Sequence, residues 1–392
     1  MSGPEDHLVS AGAVVTDGRR LAPGWVLVAD GLVADAGSGP APPAATTTAL
    51  PRTATVVPGL VDMHVHGAGG GDLTAGDRAA AVTALRALLA AGVTSCAASL
   101  VTVPEEEMVA TLDVLAGLVA VPVPRTTRLV GTHLEGPFLS PLHQGAHHGP
   151  SLRPPDAAVA RRLLDAAGGT VLMVTLAPEL PGADDVLRLL RDEGVVAAMG
   201  HTAATYDETR SALAQGVTVG THLFNGMRPP HHREPGPVLS LLDDDRVVVE
   251  LINDGQHVHP AAARVARRAA GAGRLALISD GVAATAAPDG DYRLGRVGIR
   301  SREGRVETAD GSSLGGGVVT LGVALRRAVT ELGADLVGAV DAATVVPARA
   351  LGVADRAGSL DRGRAADLVV LDADLEVDGV MLGGSWVHRP SG

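Results

Sequence analysis

The residues best suited to chemistry in this chain are four histidines and two carboxylates, each found just after a short apolar run. His64 and His66 stand two apart in Asp62-Met63-His64-Val65-His66. Side chains two apart in a β-strand share a face, so both imidazoles can point into one site. Taken alone, a His-x-His pair is weak evidence. It gains weight from Glu135 in His133-Leu134-Glu135-Gly136-Pro137, His201 in Met199-Gly200-His201-Thr202 and His222 in Gly220-Thr221-His222-Leu223. Asp280, in Ile278-Ser279-Asp280-Gly281, adds a second carboxylate. Imidazoles with a carboxylate suit zinc or a similar divalent ion. Such an ion polarises a carbonyl oxygen and lowers the pKa of a bound water towards neutrality. A carboxylate beside it can take the water's proton and return it to a leaving group, help typically worth ~10²–10⁴-fold. Asp280 is the candidate for that transfer, and service as a further metal ligand is compatible with it. The chemistry implied is metal-dependent hydrolysis.

These residues need elements to hold them. Strand-like segments run over Val56–Val65, Val93–Leu100, Arg128–Leu134, Thr170–Leu176, Val195–Gly200, Val217–His222, Val247–Ile252 and Arg274–Ser279. They are apolar on both faces, as parallel strands covered by helices should be. Helical patterns lie between them, at Arg78–Ala91, Pro104–Val119, Asp156–Ala167, Asp184–Glu193 and Pro260–Ala272. This α/β series predicts a (β/α)₈ TIM-like barrel, with a doubly wound open sheet as the alternative. Each candidate ligand falls at the C-terminal end of a strand, the rim where barrel enzymes build their sites. An ordinary hydrogen-bonding role would have to hold separately at every strand end.

The ends of the chain read differently. Leu8–Ala36 alternates apolar and polar residues around Asp17-Gly18 and Asp30-Gly31, which signal hairpins. Ala365–Asp372 and Gly384–His388 are strand-like too, and both termini are expected to build one small β-sandwich domain. The expected division is 1–57 and 346–392 for that domain and 58–345 for the barrel. Gly37–Thr55 reads as a connecting loop, Asp289–Asp310 as a hairpin insertion, and Val319–Leu332 as a helix.

Composition sets limits on function. Hydrophobic residues are 46% of the 392 and aromatics 2%, so the core must be Val, Leu and Ala. A net charge of −12 argues against nucleic acid as a partner. No run approaches the ~20 apolar residues of a membrane span, and Met1–Val15 lacks a leader-like apolar core. The single Cys96 cannot form an intrachain disulfide, which fits the reducing cytoplasm, and packing is the reading for its side chain. Lysine is absent, so a carbamylated lysine cannot bridge two metals here. Glu135 is the available bridge.

Pro58-Gly59-Leu60-Val61-Asp62-Met63-His64-Val65-His66-Gly67 resembles the opening signature of the amidohydrolase superfamily. Further segments, in order, resemble the N-acetylglucosamine-6-phosphate deacetylase family. They are His133-Leu134-Glu135-Gly136-Pro137-Phe138, Gly145-Ala146-His147, Gly200-His201-Thr202 and Thr221-His222-Leu223-Phe224-Asn225-Gly226-Met227. Arg233-Glu234-Pro235-Gly236, Asp254-Gly255-Gln256-His257 and Ser279-Asp280-Gly281 complete the set. The match runs over essentially the whole chain.

The resemblance implies hydrolysis of the acetamide of N-acetylglucosamine 6-phosphate, in amino-sugar catabolism and cell-wall recycling. It assigns Glu135, His201 and His222 to a principal metal and acid–base catalysis to Asp280. His64 and His66 then give capacity for a second ion. Zinc is the first expectation, with iron, manganese or cobalt as alternatives. Substrate contacts are expected from Ala146, His147, Asn225, Gly226, Arg233, Asp254, His257 and Leu314-Gly315-Gly316. The fork of Arg233 suits a phosphate, and His147 could donate a hydrogen bond to the acetyl oxygen or oxyanion. Family members are typically homodimers, and a phosphate ligand can come from the neighbouring subunit. The rival readings are an N-acetylgalactosamine-6-phosphate deacetylase, a D-aminoacylase and, more remotely, a non-catalytic barrel scaffold.

Overall fold

The computed structural model describes residues 6–391, so the first five residues of the expected N-terminal segment, and of the Met1–Val15 reading, lie outside it. Eight parallel strands run in sequence order around the barrel: Leu60–Val65, Val93–Leu100, Arg128–Glu135, Val171–Leu176, Val196–Met199, Val217–Gly220, Val248–Ile252 and Leu275–Ile278. Each pairs with its sequence neighbour and the order never reverses, which rules out the doubly wound sheet. Nearly every strand residue is buried, because helices cover the outer face and side chains fill the bore. Val61, Met63, Val130, Met173, Val219 and Ile278 are among those filling the interior, and Val345, Val346, Leu351 and Val353 close its floor. The barrel thus keeps residues beyond the expected boundary at 345, because this helical turn buries its valines in the bore rather than in the small domain.

The seam between the last and first strands is stitched by specific polar groups. His66 and Gly67 donate backbone N–H groups to the Gly281 carbonyl at 2.7 and 2.9 Å, and Asp280 donates to that of His64 at 3.1 Å. Deeper in the seam, the buried Asp62 carboxylate accepts the Ser279 hydroxyl at 2.5 Å and its amide at 3.3 Å. The seam therefore fixes the spacing of His64, His66 and Asp280.

Several expectations change. The run Val56–Val65 is two strands, not one. Thr55–Pro58 pairs antiparallel with Leu368–Leu371 in the small domain, and only Leu60–Val65 enters the barrel. The break falls at Gly59, whose N–H is drawn to the Asp367 carbonyl at 2.8 Å. A Cβ there would sit 2.0 Å from Thr94 Oγ1, so the close approach demands glycine. Gly37–Thr55 is not all loop, since Thr46–Ala49 pairs parallel with His7–Ala11. The insertion is a three-stranded meander, Gly290–Leu294, Val297–Arg302 and Arg305–Thr308, followed by the helix Leu321–Thr330. Val377–Leu382 is a strand with no expected counterpart; its half-buried Asp378 and its Gly379 interrupt the apolar pattern.

The Asp-Gly hairpins form as read. Asp17 and Gly18 take φ of 46° and 70°, and Asp30 and Gly31 take 53° and 76°, the left-handed pair that a tight two-residue turn requires. A four-stranded and a six-stranded sheet then share one core containing Val9, Val26, Val28, Val56, Leu368 and Val370. This is the sandwich built from both termini. Among the described residues, no helix is long and apolar enough to cross a membrane.

Candidate active site

Three of the strand ends deliver their residues through a sharp change of backbone direction. His201, His222 and Asp280 lie two residues beyond the fifth, sixth and eighth strands, with φ of 47°, 26° and 46°. Left-handed backbone at a non-glycine residue costs on the order of 1–3 kcal/mol and gathers at functional sites. Histidine and aspartate are among the residues that tolerate it best. The flip turns each side chain towards the mouth of the barrel. Gly226, itself left-handed at φ 57°, makes room for this, since a Cβ there would lie 2.8 Å from His201 Nδ1.

The expected ligands meet. His64 Nε2 and His66 Nε2 face each other at 3.1 Å, and so do those of His201 and His222. The opposite nitrogens explain why this geometry suits a cation. His66 Nδ1 donates to the Ser99 carbonyl at 3.0 Å and His201 Nδ1 to the His143 carbonyl at 2.7 Å. His64 Nδ1 lies 2.9 Å from Glu250 Oε2. With protons committed to Nδ1, the Nε2 atoms of these rings converge, which is unfavourable unless positive charge, as a proton or a cation, lies among them.

Glu135 stands between the two pairs. Its Oε1 lies 2.8 Å from His222 Nε2 and 3.0 Å from His201 Nε2. Its Oε2 lies 3.2 Å from His66 Nε2 and 3.6 Å from that of His64. Asp280 Oδ1 is 3.3 Å from His66 Nε2 and 3.4 Å from that of His64. Burial alone would push both carboxyls up. Around Glu135 the surrounding imidazoles, His147 and His64 foremost, outweigh it, and around Asp280 the hydrogen bond from His66 does, so both are held well below the usual carboxylate range. Burial likewise opposes charge on His66, but hydrogen bonds with Asp280 and Glu135 lift it to about 9. Two ionised carboxylates and four converging imidazoles fit a divalent metal by donor chemistry and by charge.

His147 is tuned the other way. Burial drives it down to about 4, so the ring is neutral near pH 7. The Thr102 amide donates to its Nδ1 at 3.2 Å, which leaves the proton on Nε2, 3.4 Å from Glu135 Oε2. This imidazole is a fixed hydrogen-bond donor at the cage.

The cage opens into a cavity whose walls include Ala146, Asn225, Gly226, His257, Leu314 and Gly316. Other expected residues stand elsewhere. Asp254 does not line the cavity; it grips His257, with Oδ2 2.6 Å from Nδ1 and Oδ1 accepting the amides of Gln256 and His257. Burial opposes the charge of His257, and this contact outweighs it and raises its pKa. Gly315 is packed against the insertion, where a Cβ would meet Ile299 at 2.9 Å. Arg233 is exposed beside a separate groove with Arg228 and Tyr206, its guanidinium 2.8 Å from His232 Nε2. Cys96 is buried in the barrel wall, and burial pushes its thiol well up, so it packs as an inert group.

Reading the sequence missed some contributors. Ser313, Val101 and Leu294 join the cavity wall, and the carbonyls of Ser99 and His143 orient ligands. Backbone carbonyls carry no residue-type signal. Glu250 had one, an acid inside the apolar run Val247–Ile252.

Comparison with known proteins agrees with this geometry. The model of the amidohydrolase family matches residues 55–387. The chain is 32% identical over 376 residues to an N-acetylglucosamine-6-phosphate deacetylase of Bacillus subtilis (strain 168), covering 95% of each chain. It is 35% identical over 381 residues to an N-acetylgalactosamine-6-phosphate deacetylase of Escherichia coli O157:H7, covering 96% of this chain and 98% of the relative. A solved structure of a mutant N-acetyl-D-glucosamine-6-phosphate deacetylase from Mycobacterium smegmatis, in complex with N-acetyl-D-glucosamine-6-phosphate, matches with a TM-score of 0.93. Its identity is 44%, over 98% of this chain and 100% of that one. With its barrel, its strand-end cage and near-full-length relatives in agreement, the chain belongs to the amidohydrolase family.

Proposed function

We propose that the protein hydrolyses the acetamide of N-acetyl-D-glucosamine 6-phosphate to D-glucosamine 6-phosphate and acetate. The observation that carries this reading is one cavity holding an anionic cation cage, a neutral histidine donor and a second histidine kept basic by Asp254. Glu135, His201 and His222 form the principal metal set. His64 and His66 would be an optional pair for a second ion, and Glu135, with one oxygen towards each half, is placed to serve both. When bound, the ion (zinc first; iron, manganese or cobalt otherwise) polarises the acetamide carbonyl and acidifies the attacking water.

The remaining work falls to this chain's own groups. Asp280, ionised at the edge of the cage, takes the water's proton and returns it to the amine nitrogen as the C–N bond breaks. His147 donates its Nε2–H to the acetyl carbonyl oxygen as it becomes an oxyanion. His257, its pKa raised by Asp254, binds the phosphate. Asn225, whose amide N–H groups donate to the carbonyls of His222 and Leu223, has its Oδ1 to offer a sugar hydroxyl. Ala146, Gly226, Leu314 and Gly316 pack against the ring. Arg233, outside its own cavity, serves the phosphate of a neighbouring subunit in a cytoplasmic homodimer.

The E. coli relative, matched over nearly its full length, favours N-acetylgalactosamine 6-phosphate as the second reading. Initial rates on both acetylated hexosamine phosphates, with an N-acetyl-D-amino acid as control, decide between them. The expected order is glucosamine derivative first and amino acid negligible. Faster turnover of the galactosamine epimer supports the second reading, and turnover of the amino acid at a comparable rate rejects both.

A further inference from the structure

Glu250 sits in the seventh barrel strand, fully buried, at a place where a carboxylate is costly. Its Oε2 contacts two groups. One is His64 Nδ1, at 2.9 Å, and the other is the backbone amide of His222, at 3.0 Å. Its Oε1 is buried without a hydrogen-bond partner. A carboxylate half-satisfied in this way contributes little to folding, because its desolvation outweighs two hydrogen bonds. A hydrophobic residue would suit a strand otherwise reading Val247-Val248-Val249 and Leu251-Ile252.

What the carboxylate does is decide where the proton of His64 resides. An acceptor at Nδ1 fixes the proton there and turns the Nε2 lone pair towards His66, Glu135 and Asp280. His133 cannot take over this role. Its ring stacks edge-on against His64 at 4.6 Å, but its nitrogens are engaged by Ser99 and Thr175. His66 is held separately, by the Ser99 carbonyl, so Glu250 acts on one member of the optional pair. The principal set depends on it less. The chain at His222 is also pinned by the Leu223 amide, which donates to the Glu250 main-chain carbonyl at 2.9 Å, a bond that survives any change of side chain.

We infer that Glu250 is a positioning residue that selects for occupancy of the second ion site: it holds His64 in the tautomer and orientation that make the His64–His66 pair a ligand. The inference rests on the two-site reading of the cage proposed above. It gives Glu250 no contact with substrate or with the reacting atoms.

The test compares wild type with Glu250→Gln and Glu250→Leu, each stripped with chelator and titrated with Mn²⁺. The readouts are bound-metal stoichiometry, stepwise affinity, and the spin-coupled signal of a Mn²⁺ pair in electron paramagnetic resonance. Losing such an outer partner typically weakens metal binding about 10–100-fold. For Glu250→Leu we expect a weakening of that order in the second step, loss of the coupled signal, and a first step changed less than about threefold. Glu250→Gln keeps the shape and one acceptor oxygen but loses the charge. It should fold even if the leucine variant does not, and should show a smaller loss in the same step. Two ions bound by either folded variant with unchanged stepwise affinities and an intact coupled signal overturns the role of Glu250 while leaving the two-site reading in place. Equal weakening of both steps overturns the selectivity and makes Glu250 a general support of the cage. A wild type that takes up a single ion at saturating Mn²⁺ overturns the two-site reading itself, and the role of Glu250 with it.

Discussion

Replacing Asp254 with asparagine probes how the cavity recognises a phosphate, through a residue that does not touch the substrate. Asp254 Oδ2 lies 2.6 Å from His257 Nδ1, while Oδ1 accepts two backbone amides. Asparagine keeps an acceptor for the amides, so the loop holds, but it removes the charge that offsets the burial of His257. The imidazole then loses its charge at a lower pH than in wild type, and where it does so its bond to a phosphate passes from charge-assisted to ordinary. Charge-assisted hydrogen bonds contribute about 1.5–3 kcal/mol and ordinary ones about 0.5–1.5. The difference, about 1–1.5 kcal/mol, is roughly tenfold in affinity at its upper end. We therefore expect KM for N-acetylglucosamine 6-phosphate to rise by up to about tenfold with kcat changed less than about twofold.

The pH dependence supplies a second readout. His257 has its pKa raised in the folded protein, so its imidazolium is fully present below its ordinary value of about 6.5 and is lost as pH rises through the raised one. In wild type, kcat/KM should fall across that upper limb, and in Asp254→Asn the fall should move to lower pH. Measurements above pH 7 keep the substrate's phosphate dianionic, since its second pKa is about 6. The pair should also stabilise the fold. Its contribution is complete only where both partners are charged, above the ordinary carboxylate range of Asp254, whose own pKa is lowered, and below about 6.5. Steady-state kinetics from pH 7 to 9 and urea denaturation across pH 4 to 9 provide the assays. A variant with unchanged KM and an unshifted limb would refute the reasoning, and so would one that loses kcat alone.

Asp280→Asn should lower kcat about 10²–10⁴-fold with metal content measured by mass spectrometry nearly unchanged, because the amide still fills the space but takes no proton; a fully active variant rejects the proposed proton transfer. Gly226→Ala places a methyl 2.8 Å from His201 Nδ1 and strains a left-handed residue, so metal affinity should drop measurably in chelator competition while the barrel's circular dichroism is retained. Wild-type affinity in this variant would show that the His201 ring is free to shift. Asp156 caps the helix Ala157–Ala166, accepting the amides of Ala158 and Val159, and Asp156→Ala should cost about 1 kcal/mol in urea denaturation without altering kcat/KM. A loss of activity there would mean that the helix is coupled to the site.

Much of this protein was legible from local pattern. Alternating apolar strands and amphipathic helices dictated the barrel, because their periods are set by backbone geometry and burial alone. The Asp-Gly turns specified hairpins because few other pairs accept left-handed backbone twice in succession. The position of each candidate ligand just past an apolar run marked the rim. What the sequence could not supply was partnership across the chain. His64 and Glu250 are 186 residues apart, and only closure of the first strand near the seventh brings them to 2.9 Å. Asp254 looked like a substrate ligand because it shares a segment with His257, yet the turn folds its carboxylate back onto that ring. The largely apolar run Val56–Val65 hid a change of domain at Gly59, since both halves are buried and burial pattern does not say against what. Arg233 reads as a cavity residue from its neighbours in sequence, but its loop carries it to a separate groove. Local sequence determined the elements and the chemical type of the site, and tertiary closure decided which groups orient, which bind and which only pack.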